Sequence, residues 1–237
     1  DLLTPGYLAN PYTYYRTLRE SDPVHWSQRM NAWILTRHTD VRTALQDRRL
    51  ISGARVASYA NALPVDSQQT LQPLYNQINK WIGNMDPPDH TRLRRLVNVA
   101  FTPRMIENLR PRISTLDDLI SAMVQAEEAG DRLSEHEMLS MCGFLIVAGH
   151  ETTMSLLSNG MLAILTHRDE FNRLRQNPQV VTSAVEECLR YDSPIQHQTR
   201  VAAENINLSG RAIKAGQRVL PFLGAANRDL QQFPDPD

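Results

Sequence analysis

From Ser134 to about Leu165 the chain carries helix-forming sequence with no proline, and none follows until Pro178. It opens on Ser134-Glu135-His136-Glu137, a capping box in which each side chain accepts a hydrogen bond from the other residue's backbone N–H. A helix of that extent rises 1.5 Å per residue and would be roughly 45 to 50 Å long, enough to cross a sizeable domain. Whatever this chain folds into must be built around that axis.

The flanking signals are shorter. Pro11, Tyr14, Tyr15 and Leu18 predict a short helix, and the alternation in Val24–Ser27 and Ala32–Thr36 predicts two strands forming a hairpin. A second helix covers His38–Gln46. From Ile51 to Lys80, glycine, prolines and many Ser, Asn and Gln give no sustained period, which predicts a long loop with short helical pieces. Asp86-Pro87-Pro88 opens a basic helix to about Ala100, and Pro103 opens another ending near Arg112. Asp117–Glu128 is helical and closes at Gly130. Asn177-Pro178 starts a helix through Arg190 that stops at Asp192-Ser193-Pro194. A strand at Thr199-Arg200-Val201 and a hairpin from Ile206 to Phe222, turning at Gly210 and Gly216, follow. The expected class is mainly α with a minor β part.

Composition removes several function classes. With 25 Lys+Arg against 26 Asp+Glu the net charge is −1, so no electrostatic footprint for nucleic acid or an anionic membrane is present. The longest strongly apolar stretch, Met141 to Gly149, falls far short of the roughly 20 residues that span a bilayer. Two cysteines cannot build a disulfide framework, and the opening residues contain no secretory signal. A cytoplasmic protein with no membrane or nucleic-acid partner is expected. The start without Met and the turn-like end at Phe233-Pro234-Asp235-Pro236-Asp237 predict a fragment.

Three residue groups could carry chemistry. Inside the long helix lies Ala148-Gly149-His150-Glu151-Thr152-Thr153. A zinc protease motif would need a second His four residues after the first, where Met154 stands. Gly149 could admit a flat ligand to the backbone while Glu151 and Thr152 relay protons at an opened turn, since a Thr hydroxyl bonding back can loosen a helix. The bland alternative is a buried helix with a glycine packing notch. Glu187-Cys188-Leu189-Arg190 places Glu and Arg at i, i+3, which on its own is a common solvated pair. In His90-Thr91-Arg92-Leu93-Arg94-Arg95, His90 and Arg94 share a face and could hold carboxylates of an acidic ligand, or belong to a basic solvent face.

Taken together, in this order and spacing, the groups resemble a bacterial cytochrome P450. Ala148-Gly149-His150-Glu151-Thr152 is similar to the family's distal-helix motif, and Glu187 with Arg190 to its Glu-x-x-Arg. The run Met85-Asp86-Pro87-Pro88-Asp89-His90-Thr91-Arg92-Leu93-Arg94 resembles its haem-facing helix, continued by Phe101-Thr102-Pro103-Arg104. The hairpin around Trp33 and Asn227-Arg228-Asp229 before Phe233-Pro234-Asp235-Pro236 fit in order.

The resemblance implies a haem-dependent monooxygenase inserting one oxygen atom of O2 into a small organic substrate, with haem (iron-protoporphyrin IX) as cofactor and electrons from a ferredoxin-type redox partner docking near Arg92 and Arg95. Met85 would contact the haem, His90 and Arg94 would bind one propionate, and Arg200 the other. Ala148, Gly149 and Thr152 would lie over the distal face, and Glu151 and Thr152 would be the catalytic proton carriers. Glu187 and Arg190 would form a buried structural pair, and Ser52–Lys80 and Pro194–Gln198 would line the substrate pocket.

Two departures mark the chain as an incomplete P450 fold, a partial domain over residues 1–237. The family's haem-ligating cysteine lies beyond the point where this sequence stops, so no metal ligand is named; Cys142 and Cys188 read as ordinary buried cysteines. Between Ile113 and Ser114 an internal deletion is expected, since the family places several helices there. The rival reading is a haem-free P450-like helper protein or an inactive fragment, favoured by loss of the cysteine loop and opposed by retention of the haem and oxygen residues.

Overall fold

A computed structural model describes residues 4–102, 116–128 and 130–237. The expected helix from Pro103 to Arg112 and the junction between Ile113 and Ser114 lie outside the described residues. The chain divides into two compact units, one made of Asp1–Ile51 and Gly149–Asp237, the other of Ser52–Ala148.

In the first unit, α1 (Pro5–Ala9) and α2 (Pro11–Ser21) each begin with proline just inside an Asx or Thr cap: Thr4 Oγ1 accepts from Tyr7 N and Asn10 Oδ1 from Tyr12 N. Proline there loses nothing, because the first N–H groups of a helix have no intrahelical partner. Then come β1 (Val24–Ser27), β2 (Ala32–Leu35), α3 (His38–Gln46) and β3 (Leu50–Ile51). The elements after the long helix are α9 (Arg168–Gln176), α10 (Val181–Tyr191), β6 (Arg200–Ala202), β7 (Ile206–Leu208), β8 (Arg211–Ile213), β9 (Arg218–Pro221) and α11 (Leu223–Ala226). One five-stranded sheet, in the order β1-β2-β9-β6-β3, gathers both ends of the sequence. β2 and β9 run parallel, with Ala32 opposite Arg218 and Leu35 opposite Pro221; the other pairs are antiparallel, with Arg200 opposite Val219. Its two faces are buried by separate apolar clusters. One joins Val24, Leu35, Val41, Leu50, Ile213 and Val219; the other joins Tyr15, Ile34, Leu220 and Phe222.

The second unit holds α4 (Arg55–Ala60), α5 (Val65–Ile78), α6 (Asp89–Ala100), α7 (Leu116–Gln125), β4 (Glu127–Glu128) and β5 (Asp131–Arg132). Its core is Met123, Ala126 and Met141 with Ile82, Val97, Phe101, Met138 and Phe144 packed around them.

The long helix, α8 (Glu135–Thr166), is a single 32-residue element, and its capping box forms as the sequence requires. Ser134 N donates to Glu137 Oε2 at 2.8 Å and Glu137 N donates to Ser134 Oγ at 3.3 Å. The mainly α class with a minor β part holds.

Three segments differ from the sequence reading. The stretch expected as a long loop contains α5, fourteen residues long with Pro73 inside it. None of its residues is buried, so no apolar stripe advertises it. The helix expected to reach Glu128 ends at Gln125, and Glu127–Glu128 pairs with Asp131–Arg132 across Gly130, whose φ of 81° suits a residue without Cβ. The hairpin expected from Ile206 to Phe222 is two structures. β7 and β8 close around Ser209 and Gly210, at φ 47° and 80°, while β9 leaves to run beside β2.

Candidate functional site

The predicted site residues divide between the two units. Met85, His90, Arg94 and Ala148 belong to the second; Gly149, Glu151, Thr152, Glu187, Arg190 and Arg200 belong to the first.

In the second unit, Met85 is half-buried just before α6, and His90 in the first turn of α6 lies one turn from Arg94. His90 is half-buried and Arg94 exposed, and neither side chain makes a hydrogen bond or ion pair among the described residues. An imidazole and a guanidinium one turn apart are suited to hydrogen-bonding a carboxylate. Their neighbour Arg92 is not available in the same way: Nη1 reaches both oxygens of Asp131 at 3.2 Å and Nη2 bonds Glu137 Oε1. Its guanidinium links α6 to Asp131 and to the start of α8. Ahead of α6, the Asp86 carboxylate accepts from Ser52 N at 2.9 Å and Gly53 N at 2.7 Å. A Cβ on Gly53 would come within 2.7 Å of that carboxylate, so the close approach demands glycine.

On α8, Ala148 and Thr152 are half-buried, whereas Gly149 and Glu151 are exposed. The helix is continuous through these residues, so the opened turn expected there is absent. The glycine packing notch is not there either, since a Cβ added to Gly149 would meet nothing within 4 Å. That free space is what a flat group needs to approach the helix. The notch lies eleven residues on: a Cβ at Gly160 would sit 3.1 Å from the Sγ of Cys188.

On α10, Arg190 grips Glu187 through Nε at 2.7 Å and Nη2 at 2.6 Å. Its Nη1 donates to the carbonyls of Asn227 at 2.8 Å and Pro236 at 2.9 Å, and the guanidinium lies 5.5 Å from the ring centre of Phe233. The hydrogen bond to Glu187 and then its charge raise the guanidinium's affinity for its proton further, against the cost of burial. The pair is not buried as expected: the Arg190 side chain is 15% exposed and that of Glu187 58%. Glu187 faces solvent and Arg190 carries the internal connections.

Arg200 opens β6, is half-buried, and donates from Nη1 to Thr199 O at 2.9 Å. After α10, His197 stacks on Phe222 with ring centres 5.2 Å apart. Burial lowers its proton affinity, so the imidazole stays neutral at pH 7.

Neither cysteine is placed as a metal ligand. Cys142 packs on the Met123–Met141 cluster. Burial, then the nearby charge of Glu187, push the Cys188 thiol up, away from the thiolate that ligation requires. Among the described residues no group of three or more His, Cys, Asp or Glu could hold a metal ion, and no described helix is long and apolar enough to cross a membrane. Within each unit the donors present are of the kind that suits a haem carboxylate, but neither Cys142 nor Cys188 is placed as a thiolate ligand.

The sequence reading named Arg228 and Asp229 only within the resemblance and gave them no role, yet they hold this unit together. Arg228 lies between two rings, 3.7 Å from the centre of Tyr12 and 4.3 Å from that of Tyr191, and donates to Tyr191 O at 2.7 Å. Asp229, 3% exposed, accepts from His38 N at 2.9 Å and faces Arg19. The available signal was charge set directly after the small apolar run Phe222–Ala226, a position where an Arg-Asp pair must find partners.

The Cytochrome P450 family profile matches residues 104–237. The vitamin D(3) 25-hydroxylase of Pseudonocardia autotrophica is 32% identical, the match covering all of this chain and 78% of that enzyme. A cytochrome P450 of Priestia megaterium is 33% identical over 87% of this chain and 72% of its own length. In structure, the cytochrome P450 CYP109Q5 from Chondromyces apiculatus superposes with a TM-score of 0.85 at 27% identity, over 99% of this chain and 78% of that one. P450BioI, solved in complex with an acyl carrier protein ligated to hexadec-9Z-enoic acid, gives 0.84 at 28% identity, over 98% and 81%. A family profile over more than half of the chain and relatives that match along nearly all of it lead to one conclusion: the chain belongs to the bacterial cytochrome P450 family of haem-iron monooxygenases.

Proposed function

We propose that this chain is a haem-dependent monooxygenase that inserts one oxygen atom of O2 into a small organic substrate, in the cytoplasm, with electrons from a ferredoxin-type protein. The observation that carries the reading is the uninterrupted α8 presenting Ala148-Gly149-His150-Glu151-Thr152, where a Cβ added to Gly149 would meet no neighbour among the described residues. His90 and Arg94 would hold one haem carboxylate and Arg200 the other, with Met85 beside them and Ala148 and Gly149 leaving room on the distal side. When bound, haem supplies the iron chemistry that binds and reduces dioxygen. The protein's part is proton delivery and shape. Thr152 would hand on a proton from its Oγ1, and the exposed Glu151 carboxylate would exchange protons with water. Arg190, through Asn227 and Pro236, would fix the backbone that follows α10.

A lipid-like substrate is supported by two relatives, one named for vitamin D3 hydroxylation and one crystallised with a fatty acyl chain. We further propose that residues 1–237 form one partial P450 domain lacking a stretch that its relatives carry between Ile113 and Ser114. The match to the Pseudonocardia enzyme runs over 323 residues while this chain has 237, which supports an internal gap. The relatives give the haem-free helper no support.

The test is Thr152→Ala in the haem-loaded protein, with oxygen uptake and product measured together. Oxygen uptake is expected to continue while product per oxygen falls about a hundredfold, the lower end of what positioned proton transfer contributes. Unchanged coupling removes Thr152 from the mechanism.

A further inference from the structure

The turn between α10 and β6, residues 192–199, has neither helix nor ladder pairing, yet almost every residue in it is tied down. Asn159 Nδ2 on α8 donates to Asp192 O at 3.4 Å, and Ser193 Oγ donates to Ile195 O at 3.0 Å. Gly224 N donates to Gln196 O, and Gln198 N to Pro221 O, both at 3.1 Å. The centre is the Gln196 side chain. Its Nε2 donates to Ser193 O at 2.8 Å and to the Tyr12 hydroxyl at 3.2 Å, and its Oε1 accepts from the Tyr15 hydroxyl at 3.1 Å. Tyr12 in turn donates to Asp192 Oδ1 at 2.5 Å, and Tyr7 and Tyr15 share a hydrogen bond of 3.1 Å.

This amide has its oxygen and nitrogen each committed, so neither a flip nor a shift preserves the set. A side chain at Gly224 would run into Oε1, so the position must stay glycine for the amide to fit. Burial, and for Tyr12 the hydrogen bond to Asp192, push both phenols well above their ordinary range, so they remain protonated donors. Tyr12 and Tyr15, more than 180 residues away from Gln196 in sequence, with Tyr7 behind Tyr15, thus set the conformation of a turn that forms no secondary structure.

We propose that Tyr12 and Tyr15, acting through Gln196, are positioning residues that fix the Pro194–Gln198 turn and thereby set which ligands the pocket accepts. This rests on the reading that the turn is part of the pocket wall.

The experiment uses Gln196→Met, Tyr15→Phe and, as a probe of the wall itself, Ile195→Ala. Amide exchange is followed by mass spectrometry, and dissociation constants for hexadec-9Z-enoic acid and vitamin D3 are measured by equilibrium dialysis on the haem-loaded protein. In Gln196→Met the amides of Gln198 and Gly224 should exchange about tenfold faster, the factor one hydrogen bond of ordinary strength gives, with β1 and β2 unchanged. The ratio of the two dissociation constants should shift about threefold or more in both Gln196→Met and Tyr15→Phe.

Equal acceleration across the unit, or no local acceleration, overturns the proposal, because the network would then be stabilising only or inert. Local acceleration with an unchanged ratio, while Ile195→Ala changes it, also overturns the proposal and leaves the wall reading standing. An unchanged ratio in all three variants sinks the wall reading and the proposal with it.

Discussion

Arg190 and Glu187 face each other across two short hydrogen bonds, but they do not contribute alike. Glu187 is mostly in water, where an ion pair is screened and typically worth about 1 kcal/mol or less. Arg190 reaches two backbone carbonyls, Asn227 and Pro236, that have to be satisfied where they are part-buried. Removing it strands those acceptors, at about 1 to 3 kcal/mol each. Glu187→Gln is therefore expected to change stability by less than about 1 kcal/mol and Arg190→Met to lower it by about 2 to 4 kcal/mol. Urea unfolding of the two variants decides it, and equal losses would show that Glu187 is the structural partner after all. The Glu-x-x-Arg spacing was legible in the sequence; the inequality was not, because it depends on carbonyls 37 and 46 residues further along the chain.

Two glycines on α8 make the same point for an element. Each lowers helix propensity by about 0.5 to 1 kcal/mol relative to Ala, since glycine loses the most backbone freedom on folding. A Cβ on Gly149 would meet nothing within 4 Å beyond its own helix among the described residues, so Gly149→Ala should raise stability by about that amount. At Gly160 the added methyl group would press on Cys188 of α10, and Gly160→Ala should lower stability by about 1 to 3 kcal/mol. Thermal unfolding of the pair is expected to give opposite signs, and destabilisation by Gly149→Ala would mean that a neighbour covers the distal face. The helix itself was readable from its capping box and its lack of proline, because both are local. Which glycine is a notch was not readable, since that depends on what packs alongside. α5 stayed hidden for a related reason: a helix that buries none of its residues leaves no periodic stripe. The sheet was half legible. β1, β2 and β6 announced themselves by alternation, but the parallel pairing of β2 with β9 joins residues nearly 190 apart, and no local pattern encodes it.

At the scale of the whole molecule, α8 carries more apolar surface than its own neighbours cover. Leu139, Ile146, Val147, Met154, Leu157, Met161, Leu162 and Leu165 are all exposed, Ile146 to 60% and Leu162 to 65%. Scattered exposed leucines are ordinary, but this many along one helix is a continuous liability, because each large side chain left in water forgoes about 1.5 to 3 kcal/mol of burial. A chain lacking a stretch between Ile113 and Ser114 would have fewer residues to cover that helix. A purified polypeptide with the mass of the 237-residue sequence should therefore enhance the fluorescence of an apolar dye such as anilinonaphthalene sulfonate and associate as its concentration rises. Sedimentation over a concentration series reads the association directly. A larger mass would restore the stretch and remove the reason for the exposed face. A correct mass with a monodisperse, dye-silent monomer would show that the residues present cover α8 by themselves, and the internal gap would then have no consequence for the surface.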